Sequence, residues 1–262
     1  DMIIVATSSG DYNYLPSTAC VVQKLIGADN ASAMDVTAAC TGFIYGLETG
    51  RSFVRCGSAK NVLVIGAEVL TRIVDWNDRS SCVLFGDGAG AAIVQPADST
   101  TATGNKTQQF SIVDSVLRSK GVDYDALIRP DGGTRRPMEV GMQVHHDMFL
   151  QMDGQRVYKF AVKAIGDIIK ELLERNDLSM EQIDWVVPHQ ANARILEAAA
   201  KRLKFPLEKM YSNILEYANT SAASVPIALN EMLDKGLFKQ GQKIITVGFG
   251  AGLTYAGNLL QL

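Results

Sequence analysis

Asp35-Val36-Thr37-Ala38-Ala39-Cys40-Thr41-Gly42-Phe43 holds a single cysteine among mostly small residues. An apolar run at 33–36 reads as a short strand leading into it. A helical pattern begins right behind it, with Phe43, Ile44, Leu47, Phe53 and Val54 on one periodicity, ending near Cys56-Gly57. The cysteine therefore stands at a strand-to-helix junction, near a helix N-terminus. That field favours thiolate over thiol, and the thiolate is the nucleophile. The small neighbours leave room for a substrate to reach the sulfur.

The same arrangement occurs twice. Cys40 lies 26 residues before Gly66, in a helix–glycine–strand unit that ends Asn61-Val62-Leu63-Val64-Ile65-Gly66. Ala222 lies 26 residues before Gly248, in a unit that ends Lys243-Ile244-Ile245-Thr246-Val247-Gly248. Both units run into glycine-rich stretches, Phe85-Gly86-Asp87-Gly88-Ala89-Gly90 and Phe249-Gly250-Ala251-Gly252. The period is too long for a solenoid. It points to two duplicated α/β halves, each with strands covered by helices. We place them at residues 1–95 and 96–262, the second including an irregular excursion at about 118–150.

Other elements follow from caps and periodicity. Residues 2–7 form an apolar, β-rich run. Pro16-Ser17-Thr18 opens a helix with Ser17 as N-cap and Gly27 as stop. A loop is expected at 70–80 and a strand pair around 81–94, with Gly86, Gly88 and Gly90 at its turn. A strand follows near 110–117. Residues 95–150 carry Ser/Thr-rich and Gly/Pro-rich stretches, among them Pro130-Asp131-Gly132-Gly133, and loops of this length tend to be functional covers or disordered. Helices are expected at 154–175, 193–203 and 224–233, and strands at 185–187 and 243–247, the last running into a hairpin.

Composition narrows the function. The 262 residues suffice for a sizeable core, and 47% hydrophobic with 20% charged residues is ordinary for a globular protein. A net charge of −3 gives no reason to expect nucleic acid, and no apolar run reaches the length of a membrane span. No signal-peptide pattern is present. The four cysteines lack metal-site spacing and read as reduced thiols in a cytoplasmic setting. No metal is expected. Cys20 and Cys82, inside predicted elements, read as core thiols, and Cys56 has no evident role. The chain opens directly into a buried strand, so residues are expected upstream of Asp1.

Two further residues share the setting of Cys40. His189 follows the strand Trp185-Val186-Val187-Pro188 and precedes a helix, and strand ends in α/β sheets gather ligand-binding side chains. Asn219 sits in Tyr217-Ala218-Asn219-Thr220-Ser221-Ala222-Ala223-Ser224, also before a helix. Alone, His189 reads as a core histidine and Asn219 as a cap or turn residue. Together with Cys40 they fit covalent acyl transfer through a Cys–His arrangement. His145 and His146, in the excursion, read as surface residues.

Thr37-Ala38-Ala39-Cys40-Thr41-Gly42-Phe43, Val187-Pro188-His189-Gln190-Ala191-Asn192 and Ala218-Asn219-Thr220-Ser221-Ala222-Ala223-Ser224 closely resemble the three active-site motifs of β-ketoacyl-acyl-carrier-protein synthase III. The two glycine-rich stretches resemble that family as well, and the match runs in order along nearly the whole chain. The resemblance implies a thiolase-like α/β fold of two duplicated halves layered α-β-α-β-α. It implies an acyltransferase that starts fatty-acid synthesis, with Cys40 taking the acyl group of an acyl-CoA and malonyl-acyl-carrier protein as second substrate. His189 and Asn219 would donate hydrogen bonds to the enolate left by decarboxylation. The backbone N–H groups of Cys40 and Ala251 would form the oxyanion hole. The family often has glycine at the Ala251 position, a change a backbone donor tolerates.

Further roles are implied the same way. Arg79 would pack on the CoA adenine, and Gly154, Asn192 and Phe249 would line the pantetheine channel. Arg194, Lys201 and Arg202, sharing a helix face, would receive the acidic carrier protein. Leu15 would reach into the acyl pocket of a homodimer partner. No tightly bound cofactor is implied; the coenzyme A thioester is a substrate. Two features depart from the family. Several tens of residues that usually precede the first strand, with a tryptophan and an arginine that help hold CoA, have no counterpart here, and Arg118-Ser119-Lys120-Gly121-Val122-Asp123 replaces a Gly/Asp/Ser-rich run. The alternatives are a related condensing enzyme making a polyketide or quinolone-type product, a Cys–His hydrolase of papain type, and a non-catalytic fragment that binds carrier protein.

Overall fold

The computed structural model describes residues 1–13, 15–97, 99 and 109–262. Most of the Ser/Thr-rich stretch anticipated after residue 95 lies outside the described residues. Two mixed sheets form the frame. In the first, β1 (Met2–Ala6) lies parallel between β2 (Ser32–Val36) and β3 (Val62–Val69), and β4 (Asp87–Val94) runs antiparallel beside β3. In the second, β8 (Trp185–Pro188) runs parallel to β9 (Lys243–Gly250), which pairs antiparallel with β10 (Thr254–Gln261), and β5 (Ser111–Ser119) closes the far edge. The trios β1-β3-β4 and β8-β9-β10 thus share order and direction, as the internal repeat requires.

Between the sheets lie α2 (Gly42–Arg55) and α6 (Ser224–Asp234), the latter preceded by the short α5 (Ile214–Tyr217). Phe43, Ile44, Leu47 and Val225 fill this middle layer against Ile4, Val64 and Ala256. On the outer face of the first sheet α1 (Thr18–Ile26) sets Ala19 against Ile3 and Val5. On the outer face of the second, α3 (Gly154–Arg175) and α4 (Ala193–Leu203) bury Ile165, Ile168, Leu196 and Ala199 with Ile245 and Val247. The layers are therefore helix, sheet, helix, sheet, helix.

Local chemistry explains the boundaries. Ser17 caps α1 by accepting from Cys20 N–H, and Gly27 ends it at φ +69°, a left-handed conformation that glycine adopts freely. The Asp35 carboxylate accepts from the N–H groups of Thr18 and Ala19, tying that helix end to β2. Helices α3 and α4 span the residues expected of them.

The strand pair expected around 81–94 is not formed. Residues 81–84 form a turn and a single strand follows, with Gly88 and Gly90 inside it. These glycines make room rather than a turn. A Cβ on Gly88 would stand 2.8 Å from Ile227 Cδ1, and one on Gly90 would stand 2.8 Å from Pro226 Cβ, so α6 lies directly on β4. Two cysteines also differ from expectation. Cys20 is exposed on α1, and Cys82 is half-buried in the turn. A helix position alone does not fix which face a residue takes.

The excursion begins with 3-10 turns over Gly121–Ala126, and its ends are drawn together by the short strands β6 (Leu127–Ile128) and β7 (Gln151–Met152). The buried Asp131 carboxylate staples its middle, pairing with Arg136 at 2.9 Å and His145 at 2.8 Å. His145 and His146 are exposed, as expected. The segment that departs from the family is the end of β5 and the first of these turns, where Arg118 pairs with Glu171 and Lys120 with Asp123. No helix of the described residues is long and apolar enough to cross a membrane.

Candidate active site

Cys40 occupies a 3-10 turn, Ala39–Thr41, that feeds directly into α2. Ala39 is held at φ +48°, a left-handed conformation rare for a residue with a side chain. The turn is fastened from below: Thr41 Oγ1 donates to Ala38 O at 2.7 Å and lies 2.9 Å from Thr254 Oγ1. Strand β9 passes so closely that a Cβ on Gly250 would stand 2.6 Å from the Cys40 nitrogen.

His189 follows β8, its N–H donating to Val247 O at 2.7 Å. Its Nδ1 is 2.7 Å from Ser224 Oγ, and its ring meets Phe249 edge-on at 5.4 Å. Ser224 Oγ also accepts from Gln190 N–H at 3.4 Å. In the tautomer in which the Ser224 hydroxyl donates to Nδ1, Nε2 carries the ring hydrogen as a donor. Asn219 is clamped by main chain: its N–H donates to Leu84 O and its carbonyl accepts from Gly86 N–H, each at 2.9 Å. This is what the Phe85-Gly86 motif does locally, and a Cβ on Gly86 would strike Tyr217 O at 2.8 Å. Asn219 Oδ1 accepts from Ser221 N–H at 2.9 Å, so Nδ2 is the free end of the amide.

Cys40, His189 and Asn219 line one cleft of about 130 Å³, with Phe85, Val157, Phe160, Ile195 and Leu253 among its apolar walls. Gly154, Asn192 and Phe249 line it too. Gly154 opens α3 and has open space where a Cβ would be; Asn192 is the N-cap of α4, accepting from Arg194 N–H. Leu127 and Met152 bring the ends of the excursion into the wall. Ala251, Arg79 and Leu15 are not part of the lining. Ala251 begins the tight turn between β9 and β10 beside Gly250, Arg79 is exposed on a turn held by Asp78, and Leu15 is 83% exposed. Arg194, Lys201 and Arg202 are exposed on α4.

Electrostatics corrects one expectation. Burial pushes the Cys40 thiol up to about 12 and the nearby Glu68 carboxylate adds to the rise, outweighing the Ser221 side chain and the sulfur's own backbone N–H, so at neutral pH the sulfur is a thiol. Burial likewise pushes His189 down to about 3, so the imidazole is neutral. The cleft is a mostly apolar site with neutral partners, suited to charge that develops during a reaction rather than charge stored beforehand.

Several residues of the site were not singled out from sequence. Gln190 is buried and spans to the 211–213 segment, donating to Tyr211 O and accepting from Asn213 N–H. Ser221 and Ser224 lie within the quoted Asn219 motif. Glu68 lies two residues after Gly66 in the repeated unit, which was the one signal that could have marked it.

A cysteine at a strained turn in the middle of a five-layered, internally duplicated α/β body defines a thiolase-like condensing enzyme. Models of the C-terminal and N-terminal parts of 3-oxoacyl-[acyl-carrier-protein] synthase III match residues 173–262 and 34–121. A β-ketoacyl-[acyl-carrier-protein] synthase III of Caldanaerobacter subterraneus subsp. tengcongensis is 50% identical over the whole chain, which spans 76% of that relative. One of Clostridium acetobutylicum is 45% identical, with 77% of the relative spanned. The crystal structure of the Aquifex aeolicus synthase III superposes with a TM-score of 0.86 at 40% identity, covering all of this chain and 77% of that one. The chain belongs to the 3-oxoacyl-[acyl-carrier-protein] synthase III family.

Proposed function

We propose that the protein catalyses a decarboxylating Claisen condensation of an acyl-CoA primer with malonyl-acyl-carrier protein, initiating fatty-acid synthesis. The observation that carries the reading is the convergence of Cys40, the neutral His189 and the oriented Asn219 amide on one apolar cleft.

The chemistry runs in two steps. Cys40 Sγ attacks the acyl-CoA carbonyl, the C–S bond to CoA breaks, and the thiol proton leaves with the CoA sulfur. The backbone N–H groups of Cys40 and Ala251 stabilise the oxyanion. Malonyl-acyl-carrier protein then loses carbon dioxide, and the bonding pair stays behind as an enolate. His189 Nε2–H and Asn219 Nδ2–H donate to the enolate oxygen where that charge appears. Both donors are neutral, so neither quenches the carbanion as a strong acid would. The carbanion attacks the acyl-Cys40 carbonyl, the C–S bond breaks, and the departing Cys40 thiolate takes a proton from solvent.

The binding residues complete the reading. Gly154, Asn192 and Phe249 line the route for the pantetheine arm, and Arg79 packs on the adenine. Arg194, Lys201 and Arg202 present positive charge to the acidic carrier protein. Leu15 meets the acyl pocket of a partner in a homodimer, and its exposure is consistent with that role. No tightly bound cofactor takes part, and the enzyme works in the cytoplasm. The two sheets support dividing the chain at residues 1–95 and 96–262.

Mass spectrometry after incubation with acetyl-CoA tests the assignment. An acetyl adduct on Cys40 is expected. In His189→Ala and Asn219→Ala the adduct persists, while malonyl decarboxylation falls by roughly 10²- to 10³-fold. Equal loss of both steps would contradict this division of labour.

A further inference from the structure

Glu68 is a carboxylate with 3% exposure near the end of β3, and the condensation mechanism does not use it. Isolated burial of a charge is expensive, so its partners matter. Oε2 accepts from Ser9 Oγ at 2.6 Å, Ser8 N–H at 3.0 Å and Thr7 Oγ1 at 3.4 Å. Oε1 accepts from Ser221 Oγ at 2.9 Å, and the Ala222 N–H adds a further bond. The carboxylate thus joins the loop after β1 to the turn that begins α6.

The internal repeat gives this contact its meaning. The turn Ser221–Ala223 matches Ala39–Thr41: both are 3-10 turns feeding an inner helix, and Ser221 and Ala39 are both at φ +48°. Ala222 stands where Cys40 stands. Glu68 lies two residues past Gly66 as Gly250 lies two residues past Gly248. In one half the strand offers a bare glycine to the Cys40 nitrogen; in the other it offers a carboxylate to the Ala222 nitrogen. Glu68 occupies in one half the place that must stay open to a substrate oxyanion in the other.

We propose that Glu68 is a positioning residue for decarboxylation: by holding the Ser221–Ala222 turn it fixes the Asn219 amide whose Nδ2 meets the enolate. The linkage is short. Glu68 fixes Ser221 through its hydroxyl, and Ser221 N–H fixes Asn219 Oδ1 at 2.9 Å. An N–H can be accepted only by the amide oxygen, so this bond decides which end of Asn219 faces the cleft. Burial raises the carboxyl of Glu68 above the usual range, while its donors pull it back toward the charged form they fit.

This inference rests on the condensing activity proposed above. The test measures two steps separately in purified full chain: acetyl transfer from acetyl-CoA to Cys40, and carbon dioxide release from malonyl-acyl-carrier protein. Glu68→Gln keeps the size but turns an N–H2 group toward either the Ser8 and Ser9 donors or the Ser221 and Ala222 donors. Decarboxylation kcat is expected to fall about ten- to hundredfold, while acylation of Cys40 does not fall, since losing the Glu68 charge only eases ionisation of the thiol, and the KM for malonyl-acyl-carrier protein stays near wild type. Ser9→Ala removes a donor from the other carboxylate oxygen without touching Ser221, and is expected to lose several-fold in the same step; it serves if Glu68→Gln does not fold. Decarboxylation unchanged in the folded variants, or a parallel fall in both steps, would overturn the assignment. A wild-type protein that neither forms the adduct nor releases carbon dioxide would remove the condensing reading itself.

Discussion

The Cys40 turn and the Ser221–Ala222 turn are two copies of one backbone with opposite contents. Each begins with a residue at φ +48°, each runs into an inner helix, and each is crossed by a strand glycine from the other sheet. A Cβ on Gly66 would stand 2.3 Å from Ala222 O, and one on Gly248 would stand 3.5 Å from Cys40 O and 3.2 Å from Ile44 Cδ1. The first copy carries a thiol, and the second carries a methyl group with its surroundings saturated by Glu68. Duplication supplies the frame, and a few side chains decide which copy reacts. The second copy serves by presenting Asn219 across the cleft.

The comparison is broken most severely at the nucleophile. Cys40→Ala is expected to lose condensation by roughly 10⁴-fold or more, with no acetyl adduct in the mass spectrum. The sharper variant is Cys40→Ala combined with Ala222→Cys, which moves the thiol to the equivalent turn. It is expected to remain unacylated, because the Ala222 amide is engaged by Glu68. An adduct on residue 222 would show that the backbone alone makes a nucleophile.

The strand residues around the turns give the next effect. Gly250→Ala drives a Cβ to 2.6 Å from the Cys40 nitrogen, which displaces the N–H proposed as an oxyanion donor; acylation is expected to slow by about 10²-fold. Gly66→Ala drives a Cβ into the Ala222 carbonyl, where backbone must move, and the expected cost is stability of about 3 kcal/mol in urea unfolding. If the two variants traded outcomes, the functional asymmetry between the turns would be misassigned.

His189 has a counterpart too, since Thr7 follows β1 as His189 follows β8. The folded imidazole titrates near 3 against an ordinary 6.5, so the folded state binds fewer protons than the unfolded chain between those values. Its contribution to stability is therefore complete above pH 6.5 and lost as pH falls toward 3, at about 1.4 kcal/mol per unit. His189→Thr places the first half's residue in the second half and removes that slope. The difference in unfolding free energy between wild type and variant should change by about 2 kcal/mol from pH 6.5 to pH 5. A constant difference would show that His189 titrates normally.

Much of this was legible in the sequence, and the reason is local. Ser17 and Gly27 bound α1 because a cap and a left-handed stop act within a few residues, and α4 spans the residues that its apolar periodicity marks. The three motifs could be joined because each stands at a tight turn before a helix. What was not legible depends on distant neighbours. Gly88 and Gly90 read as a turn, and only the approach of α6 shows that they clear space for Pro226 and Ile227. Cys20 looked like core because a helix position does not tell which face meets the sheet. The Cys40 shift runs against the sequence expectation because helix-end fields are visible in sequence and desolvation is not. Glu68 has no local sequence signature because its partners, at 7–9 and 221–222, come from opposite ends of the chain.

The smallest effect concerns the strain that both turns share. A residue with a Cβ in the left-handed region costs about 1 kcal/mol relative to glycine, and such positions cluster where function holds a backbone in place. Ala39 is half-buried, so Ala39→Gly removes the strain and little packing. Its methyl nevertheless lies against Gly250, where a Cβ would be 3.1 Å away, and so helps hold the Cys40 turn in register with β9. The variant is expected to gain up to about 1 kcal/mol, a rise in Tm of roughly 2–4 °C, while acetyl transfer to Cys40 slows as the turn samples other conformations. Ser221→Gly, in the matching position, relieves the same strain but removes the Glu68 hydroxyl arm, so its gain in Tm should be smaller and its loss should fall on decarboxylation. Identical consequences at the two positions would mean that the turns differ in nothing but the presence of sulfur.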